Sequence, residues 1–424
     1  MSSDGQLFVG QGFPKFIGRI ILPLFVFSVV INPYTIWGNP GYLVSFFLIV
    51  FSILSGAYRV GLEKNVGVFS LLLAIGAWGA IQSFVHGIFQ VNHIWSVISL
   101  FFTFFCAQGL YVYCKKCAVS FHGLLLVIYS VIVFNSFVIS LEVVFPDFRD
   151  LVESGLLPSG NRDWSEGPRY RGLASGGGAT LSLLTPVAFS ISLYLLSIGR
   201  LGVVAFSVTS IIILFATSVI GRTGLLLLPI VFLFYVFQFS NRFIVSPKSL
   251  FKPVVLSAFL IMTGLLLFEY LVIFLSDRFD SGFVDYAFGF LFEGPPGIKR
   301  EGTVGVIVEY LSVVPTKLPE VLTGYGFYGG SEFSPWTDSG YSRMWLSVGF
   351  VLGAVFYLGL IFLFFEAFRS KKMLVVPIAI VLLVAEAKEP ALFSGNAARA
   401  LVLILVFLIM DSHFYEAKCS RTQV

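Results

Sequence analysis

Apolar runs about 20 residues long alternate with short polar breaks along nearly the whole chain. About 20 apolar residues are what a helix needs to cross a bilayer. On that length the pattern predicts about twelve transmembrane helices, at 16–31, 41–58, 66–85, 94–113, 121–145, 173–197, 201–220, 223–240, 253–276, 341–366, 373–389 and 397–411. The first run is short and holds Arg19 and Pro23. The eleventh ends in a crowd of charges, Glu386, Lys388 and Glu389, followed by Pro390. Two long polar stretches interrupt the pattern, 146–172 and 277–340. Loops of that length inside a compact chain are usually functional or disordered. The second contains apolar pieces at 304–315 and 283–294, too short to span and expected to lie in the membrane interface as helices. No internal repeat and no low-complexity tract breaks the sequence. The expectation is a single polytopic membrane domain over 1–424 with two outer loops.

Composition strengthens this reading. The chain has 424 residues, 57% of them hydrophobic and only 12% charged, where a soluble domain carries about 25% charged residues. Mean hydropathy is +0.92. The fold class expected is an all-α integral membrane protein. A net charge of +4, spread thinly, argues against nucleic acid as a partner. The N-terminal stretch holds Asp4 and Lys15 and then an apolar run without a small-residue cleavage site, so the first helix is read as an anchor that stays.

The basic residues of the short breaks set an orientation. Arg59 and Lys64 follow the second run, Lys115 and Lys116 the fourth, Arg200 the sixth, and Arg242, Lys248 and Lys252 the eighth. Arg369, Lys371 and Lys372 follow the tenth, and Lys418 and Arg421 the twelfth. Every even exit is basic, while the short odd break at 86–93 has no Lys or Arg. Both termini are therefore expected in the cytoplasm, and the two long loops on the far side. Cys114 and Cys117 have CxxC spacing but sit beside Lys115 and Lys116, in a cytoplasmic break. With no histidine or cysteine near enough to complete a site, reduced structural thiols are expected there, and no metal.

On this orientation Arg162, Arg169, Arg171, Arg222, Arg278, Lys299, Arg300 and Arg343 all fall outside. Arginine presents a planar fork that matches phosphate. Four constellations follow. In 167–179, Arg169 and Arg171 flank Tyr170 and lead into a glycine run that opens the sixth helix. Close backbone approach and a helix N-terminus favour an anion there. The alternative is that the arginines pair with Asp163 and Glu166 while the glycines pack against a neighbouring helix. Arg222 stands in a very tight turn, Gly221 to Gly224, facing an anionic ligand or merely lipid phosphate. At the end of the large loop, glycines flank Tyr325 and the Phe327–Tyr328 pair, and Trp336 follows, leaving ring faces for sugars. Asp338 and Arg343 come next, either as a general base beside a cation or as a structural pair with Asp338 capping the helix. The fourth is Glu386, Lys388 and Glu389 with Arg399 beyond, charges close to apolar helices that serve a function or close an ion-pair network.

At these residues the chain resembles the O-antigen polymerase (Wzy) family, within the group that also holds the O-antigen ligases. The shared pieces are the arginine loop with its glycine-rich helix start (RYRGLASGGGA), the GRTG turn, the large outer loop ending in GYGFYGG and TDSGYSRMWLSVGFVLG, and a late KEP. The resemblance implies a metal-independent glycosyltransferase without cofactor. It would move an oligosaccharide from undecaprenyl pyrophosphate onto a new lipid-linked repeat unit, at the periplasmic face of a Gram-negative inner membrane. It also implies a Wzz-type copolymerase as partner, besides membrane lipid. Related ligases carry a histidine just before the helix that follows the large loop, where this chain reads Asp338-Ser339. That favours polymerase over ligase and makes Asp338 the expected base, with Glu389 behind it. Arg169, Arg171, Arg222 and Arg343 are expected at the pyrophosphates, Arg278 and Arg399 in support. Arg278, ten residues and then Gly289 repeats a spacing of some polymerases. Tyr325, Tyr328 and Trp336 are the expected sugar platforms. A flippase or other transporter is the rival from another class, though the charges gather at the outer rim and not near the midplane.

Overall fold

The structure, a computed structural model, describes residues 15–88, 92–156, 170–243, 303–326, 337–392 and 395–422. These residues form helices: α1 (Lys15–Val30), α2 (Pro40–Leu54), α3 (Ala57–Val85), α4 (Asn92–Lys116), α5 (Phe121–Val144), α6 (Pro146–Gly155) and α7 (Ala179–Ser182). Next come α8 (Leu184–Ser197), α9 (Val203–Ile220), α10 (Arg222–Phe243), α11 (Thr303–Ser312), α12 (Leu318–Thr323), α13 (Gly340–Glu386) and α14 (Asn396–Thr422). Among the described residues no strand forms beyond isolated bridges of Thr35 with Gly38 and Leu156. Among the described residues, five helical stretches are by length and composition apolar enough to cross a membrane: Val97–Lys116, Phe121–Val144, Thr180–Ser197, Val203–Ile220 and Gly340–Phe362. The protein is thus a helical bundle of membrane-spanning character. The run expected at 253–276 and the interfacial piece at 283–294 lie outside the described residues.

Burial follows composition. A helix apolar on every side belongs in the interior, and α8 is buried at every position from Leu184 to Leu195. The stretch of α14 from Ala400 to Met410 is likewise buried. Outer helices keep large apolar side chains exposed, among them Phe16, Leu43, Phe46, Leu54 and Val204, as lipid-facing surfaces do. Small residues set the closest approach: a Cβ on Gly109 of α4 would collide with the Leu48 carbonyl of α2.

Several boundaries differ from the sequence expectation. The second and third runs are joined by a turn at Ser55 and Gly56, and α3 continues through Arg59 and Lys64. A short loop was expected there between the apolar runs 41–58 and 66–85, but Lys and Arg tolerate helical geometry well. The stretch 146–172 is not wholly loop, since it opens with α6, started by Pro146 at its first turn. The apolar piece expected at 304–315 does form a helix, α11.

The largest difference is in α13. Gly349 (φ 78°, ψ 173°) and Lys371 (φ −143°, ψ 59°) interrupt it. In a straight helix Tyr341 and Tyr357 would stand about 24 Å apart. Here their ring centroids are 4.8 Å apart. The Tyr341 hydroxyl donates to the Leu383 carbonyl at 2.7 Å, and that of Tyr357 to Glu386 Oε1 at 3.0 Å. So α13 is three legs, 340–348, 350–370 and 372–386, folded back on one another. The expected run 341–366 is therefore not one rod, and its first turns are a short leg lying against the other two. Glycine at 349 is needed for the positive φ, and a Cβ there would also strike the Leu322 carbonyl. The segment after α12 fills the break, with the Tyr325 amide donating to the Leu346 carbonyl at 2.7 Å and the Gly326 amide to that of Ser347 at 2.9 Å. Backbone groups freed from a helix need such partners.

Charged groups collect at two opposite ends. Lys115 of α4 pairs with Asp411 of α14 at 2.5 Å. Arg19 donates to the carbonyls of Cys117 and Ala118 at 3.3 Å, which satisfies both the arginine and the end of α4. His122, at the start of α5, has Arg200 and Lys371 near it. The 24 residues of α5 then carry the chain about 36 Å to the other end. There the candidate residues gather.

Candidate functional site

The far end is built from helix termini: the end of α5, the starts of α8, α10 and α13, the connection from α13 to α14, and the short helices α6 and α11. Among the described residues it contains two arginine–carboxylate pairs.

The first pair is structural in its geometry. The side chain of Arg171 is 1% exposed and forms an ion pair with Glu153 of α6. Its Nε lies 3.1 Å from both carboxylate oxygens, and Nη1 donates to the Ser175 carbonyl at 3.3 Å. The neighbouring backbone is fastened too. The Gly172 amide donates to Glu142 Oε2 at 3.2 Å, and the Leu173 amide to Asn135 Oδ1 at 2.8 Å. Gly172 has φ +58°, and a Cβ there would meet Asn135 Oδ1 at 2.8 Å. The guanidinium of Arg149 lies 4.4 Å from the centre of the Tyr170 ring. Burial raises the Tyr170 phenol above its ordinary range, and Arg149 opposes that. Arg171, expected at a pyrophosphate, is instead occupied by a carboxylate from within the chain. The partner is Glu153, a residue the sequence reading did not single out. Asp163 and Glu166, the partners considered there, lie outside the described residues, as does Arg169.

The second pair is more open. Arg343 Nη2 donates to Asp338 Oδ1 at 2.7 Å, with the two side chains 19% and 30% exposed. Arg343 Nε also donates to the Thr337 carbonyl at 2.8 Å. The cap of α13 is Ser339, whose hydroxyl accepts from the Ser342 amide at 3.3 Å. Asp338, considered as the cap from sequence, is left to face Arg343 and the loop. A serine one residue nearer the helix meets the first-turn amides.

Tyr310 of α11 completes this cluster. Its backbone carbonyl accepts the hydroxyls of Thr337 at 3.0 Å and Ser342 at 2.8 Å. Its phenol hydrogen-bonds Asp338 and lies close to Glu389. Burial raises that phenol first, and the charges of Asp338 and Glu389 raise it further, so it remains a donor near neutral pH. Glu389 is half-buried in the connection after α13. Glu386, three residues earlier, is fully buried and accepts the Tyr357 hydroxyl on Oε1 and the Leu392 amide on Oε2 at 2.9 Å. A Cβ on Gly340 would strike the Glu386 carboxylate and come within 2.8 Å of Pro390 Cα. These contacts fasten the start of α13 to the connection carrying Glu389.

Arg222 opens α10, and its side chain lies outside the described residues. Lys388 Nζ donates to Thr223 Oγ1 at 3.1 Å, so the GRTG turn and the KEP stretch meet. On its other side the turn packs on the glycine run: a Cβ on Gly221 would sit 3.3 Å from the Gly178 backbone, and the Gly224 amide donates to Ser182 Oγ at 3.1 Å. Arg399 is half-buried one turn into α14, with Nη1 3.5 Å from Asn396 Oδ1, and stands apart from the Asp338 cluster in its contacts. Tyr325 donates to Glu320 at 2.6 Å and meets His86 edge to face, centroids 5.6 Å apart. The phenol is pushed up to about 12, by burial first and then by Glu320. Arg278, Tyr328 and Trp336 lie outside the described residues.

The structure thus brings Asp338, Arg343 and Glu389 together, adds Tyr310, and sets the Arg222 turn beside them. The arrangement can hold an anion and accept a proton from a hydroxyl. Among the described residues no group of three or more His, Cys, Asp or Glu side chains gathers as a metal site. No family model matches the chain, and no curated protein matches its sequence.

Proposed function

We propose that the chain is a membrane glycosyltransferase that polymerises undecaprenyl-pyrophosphate-linked O-antigen repeat units on the periplasmic face of a Gram-negative inner membrane. In this reading twelve helices span the membrane, both termini are cytoplasmic, and the end holding Asp338 and Arg343 faces the periplasm. The reading rests most on one observation: a partly exposed arginine–aspartate pair, with a second carboxylate and a phenol beside it, at the end of an apolar bundle.

The pyrophosphate of the incoming donor takes the guanidinium of Arg343, with Arg222 and Lys388 alongside. Arg343 thereby leaves Asp338, whose carboxylate loses its neutralising partner and becomes a better base. The acceptor hydroxyl oxygen bonds to the anomeric carbon of the donor sugar as its proton passes to Asp338. The bond from that carbon to the phosphate oxygen breaks, and lipid pyrophosphate departs with the electron pair. Cations fixed beside the departing phosphate stabilise the charge growing there. Glu389 stands where a second carboxylate can share the proton. A small apolar cavity of about 50 Å³ between α3, α4, α13 and α14 reaches Leu392, whose amide is bonded to Glu386.

One feature favours a lipid-oligosaccharide flippase instead, the helix break at Gly349, since discontinuous helices mark carrier sites. The carbonyls freed at that break are taken by the Tyr325 and Gly326 amides, not left open to a ligand. Deleting the gene in the native host and resolving its lipopolysaccharide on a gel tests the reading. A ladder collapsing to core bearing a single repeat supports polymerisation. Core without any repeat points to a ligase or a flippase. Stranded lipid-linked sugar on the periplasmic face then marks the ligase, and on the cytoplasmic face the flippase.

A further inference from the structure

We infer that Tyr310, on the short helix α11 of the large loop, is a positioning residue for the carboxylate of Asp338, and so that α11 is part of the site and not a cap above it. The inference rests on the glycosyltransferase reading above for its function, and on the placement of Tyr310 against the start of α13 for the contact.

Three observations carry it. The backbone around Tyr310 is locked, because its carbonyl receives two hydroxyls, from Thr337 and Ser342, that bracket Asp338 in sequence. Its phenol hydrogen-bonds Asp338, whose Oδ1 also accepts from Arg343 Nη2 at 2.7 Å. The same phenol feels the charge of Glu389, from the connection after α13.

This explains how Asp338 stays in place during the reaction. Thr337, Asp338 and Ser339 precede α13, and Arg343 is the strongest hold on the aspartate. If the guanidinium turns to a pyrophosphate, that hold is lost at the moment the base is needed. The Tyr310 phenol keeps one carboxylate oxygen anchored and leaves the other for the acceptor hydroxyl. Charged and titratable groups facing this point are Asp338 and Arg343 at the start of α13, Glu386 and Glu389 at its end, and Glu309 on α11 itself.

The test uses Tyr310→Phe in the full-length protein, reconstituted with its native lipid-pyrophosphate-linked oligosaccharide. Phenylalanine retains the ring, and the backbone carbonyl that takes both hydroxyls is unaffected. A hydrogen bond to a charged group is expected to be worth about tenfold in kcat, with KM nearly unchanged. A fall in kcat at unchanged KM marks loss of an interaction made in the transition state, which a purely structural role would not produce. Equal kcat overturns the inference. A thermal-unfolding cycle over Tyr310→Phe and Asp338→Asn reads the contact without substrate. Additive effects there also overturn it. Coupling in that cycle, together with a wild-type protein that forms no polymer, supports the contact and discards the glycosyltransferase reading alone.

Discussion

Two arginines of this chain read alike in sequence and occupy opposite situations in the structure. Arg171 and Arg343 each precede or open an apolar helix, and each pairs with an acid. The Arg171–Glu153 pair is 1% and 12% exposed, whereas Arg343–Asp338 is 19% and 30% exposed. Burial separates their roles. A desolvated pair resists exchange, because removing either partner leaves a charge in a poor solvent. A half-exposed pair is held weakly enough to trade one partner for a substrate. The first pair ties α6 and the glycine run to the bundle, and the second belongs to the candidate site.

The comparison breaks most severely at the buried pair. Arg171→Ala should cost about 3–5 kcal/mol of stability, seen as poor yield and a markedly lower melting temperature in detergent. Arg171→Leu with Glu153→Leu should recover much of that loss. If Arg171→Ala melted normally and lost polymer formation, Arg171 would be a ligand after all. Arg343→Ala should do the reverse. Polymer formation should fall about 100-fold, the scale of removing one charge-stabilising donor, while the melting temperature barely moves. A smaller effect is expected at Gly340, where alanine would press on Glu386 and Pro390 and cost about 1–3 kcal/mol. Unfolding midpoints of Gly340→Ala against Gly353→Ala, where the nearest atom would be the flexible Met344 side chain at 3.4 Å, would show it. The smallest effect lies at Glu320, whose carboxyl is held below its ordinary value, first by the Tyr325 hydroxyl. A lowered carboxylate contributes stability above its unfolded pKa, near 4.5, and loses it as pH falls through the folded value. Tyr325→Phe should therefore lower stability slightly at neutral pH, with the difference from wild type vanishing below that range.

The positions of most helices were legible from apolar run length alone. α5, α9 and the buried part of α14 coincide closely with the expected runs 121–145, 201–220 and 397–411. Where charges interrupted a run the reading was less sure. Arg59 and Lys64 did not end a helix, because basic residues are good helix formers. The fold-back of α13 was not legible, since Gly349 is one glycine among many in the chain and its role depends on the 324–326 segment that packs into the break.

The candidate site was half legible. Asp338, Arg343 and Glu389 were chosen because charge near apolar helices needs a reason, and the structure gathers them. Tyr310 was missed, since a tyrosine within an apolar stretch carries no signal of its own. Glu153 was missed because α6 looked like loop. What the sequence by itself determined was a helical, membrane-type chain and the residue types at one end of it, because apolar run length and charge placement are local properties. Which arginine is sealed in and which is open was decided only by tertiary structure. Ion-pair partners come from segments distant in the chain, and burial depends on every helix around them.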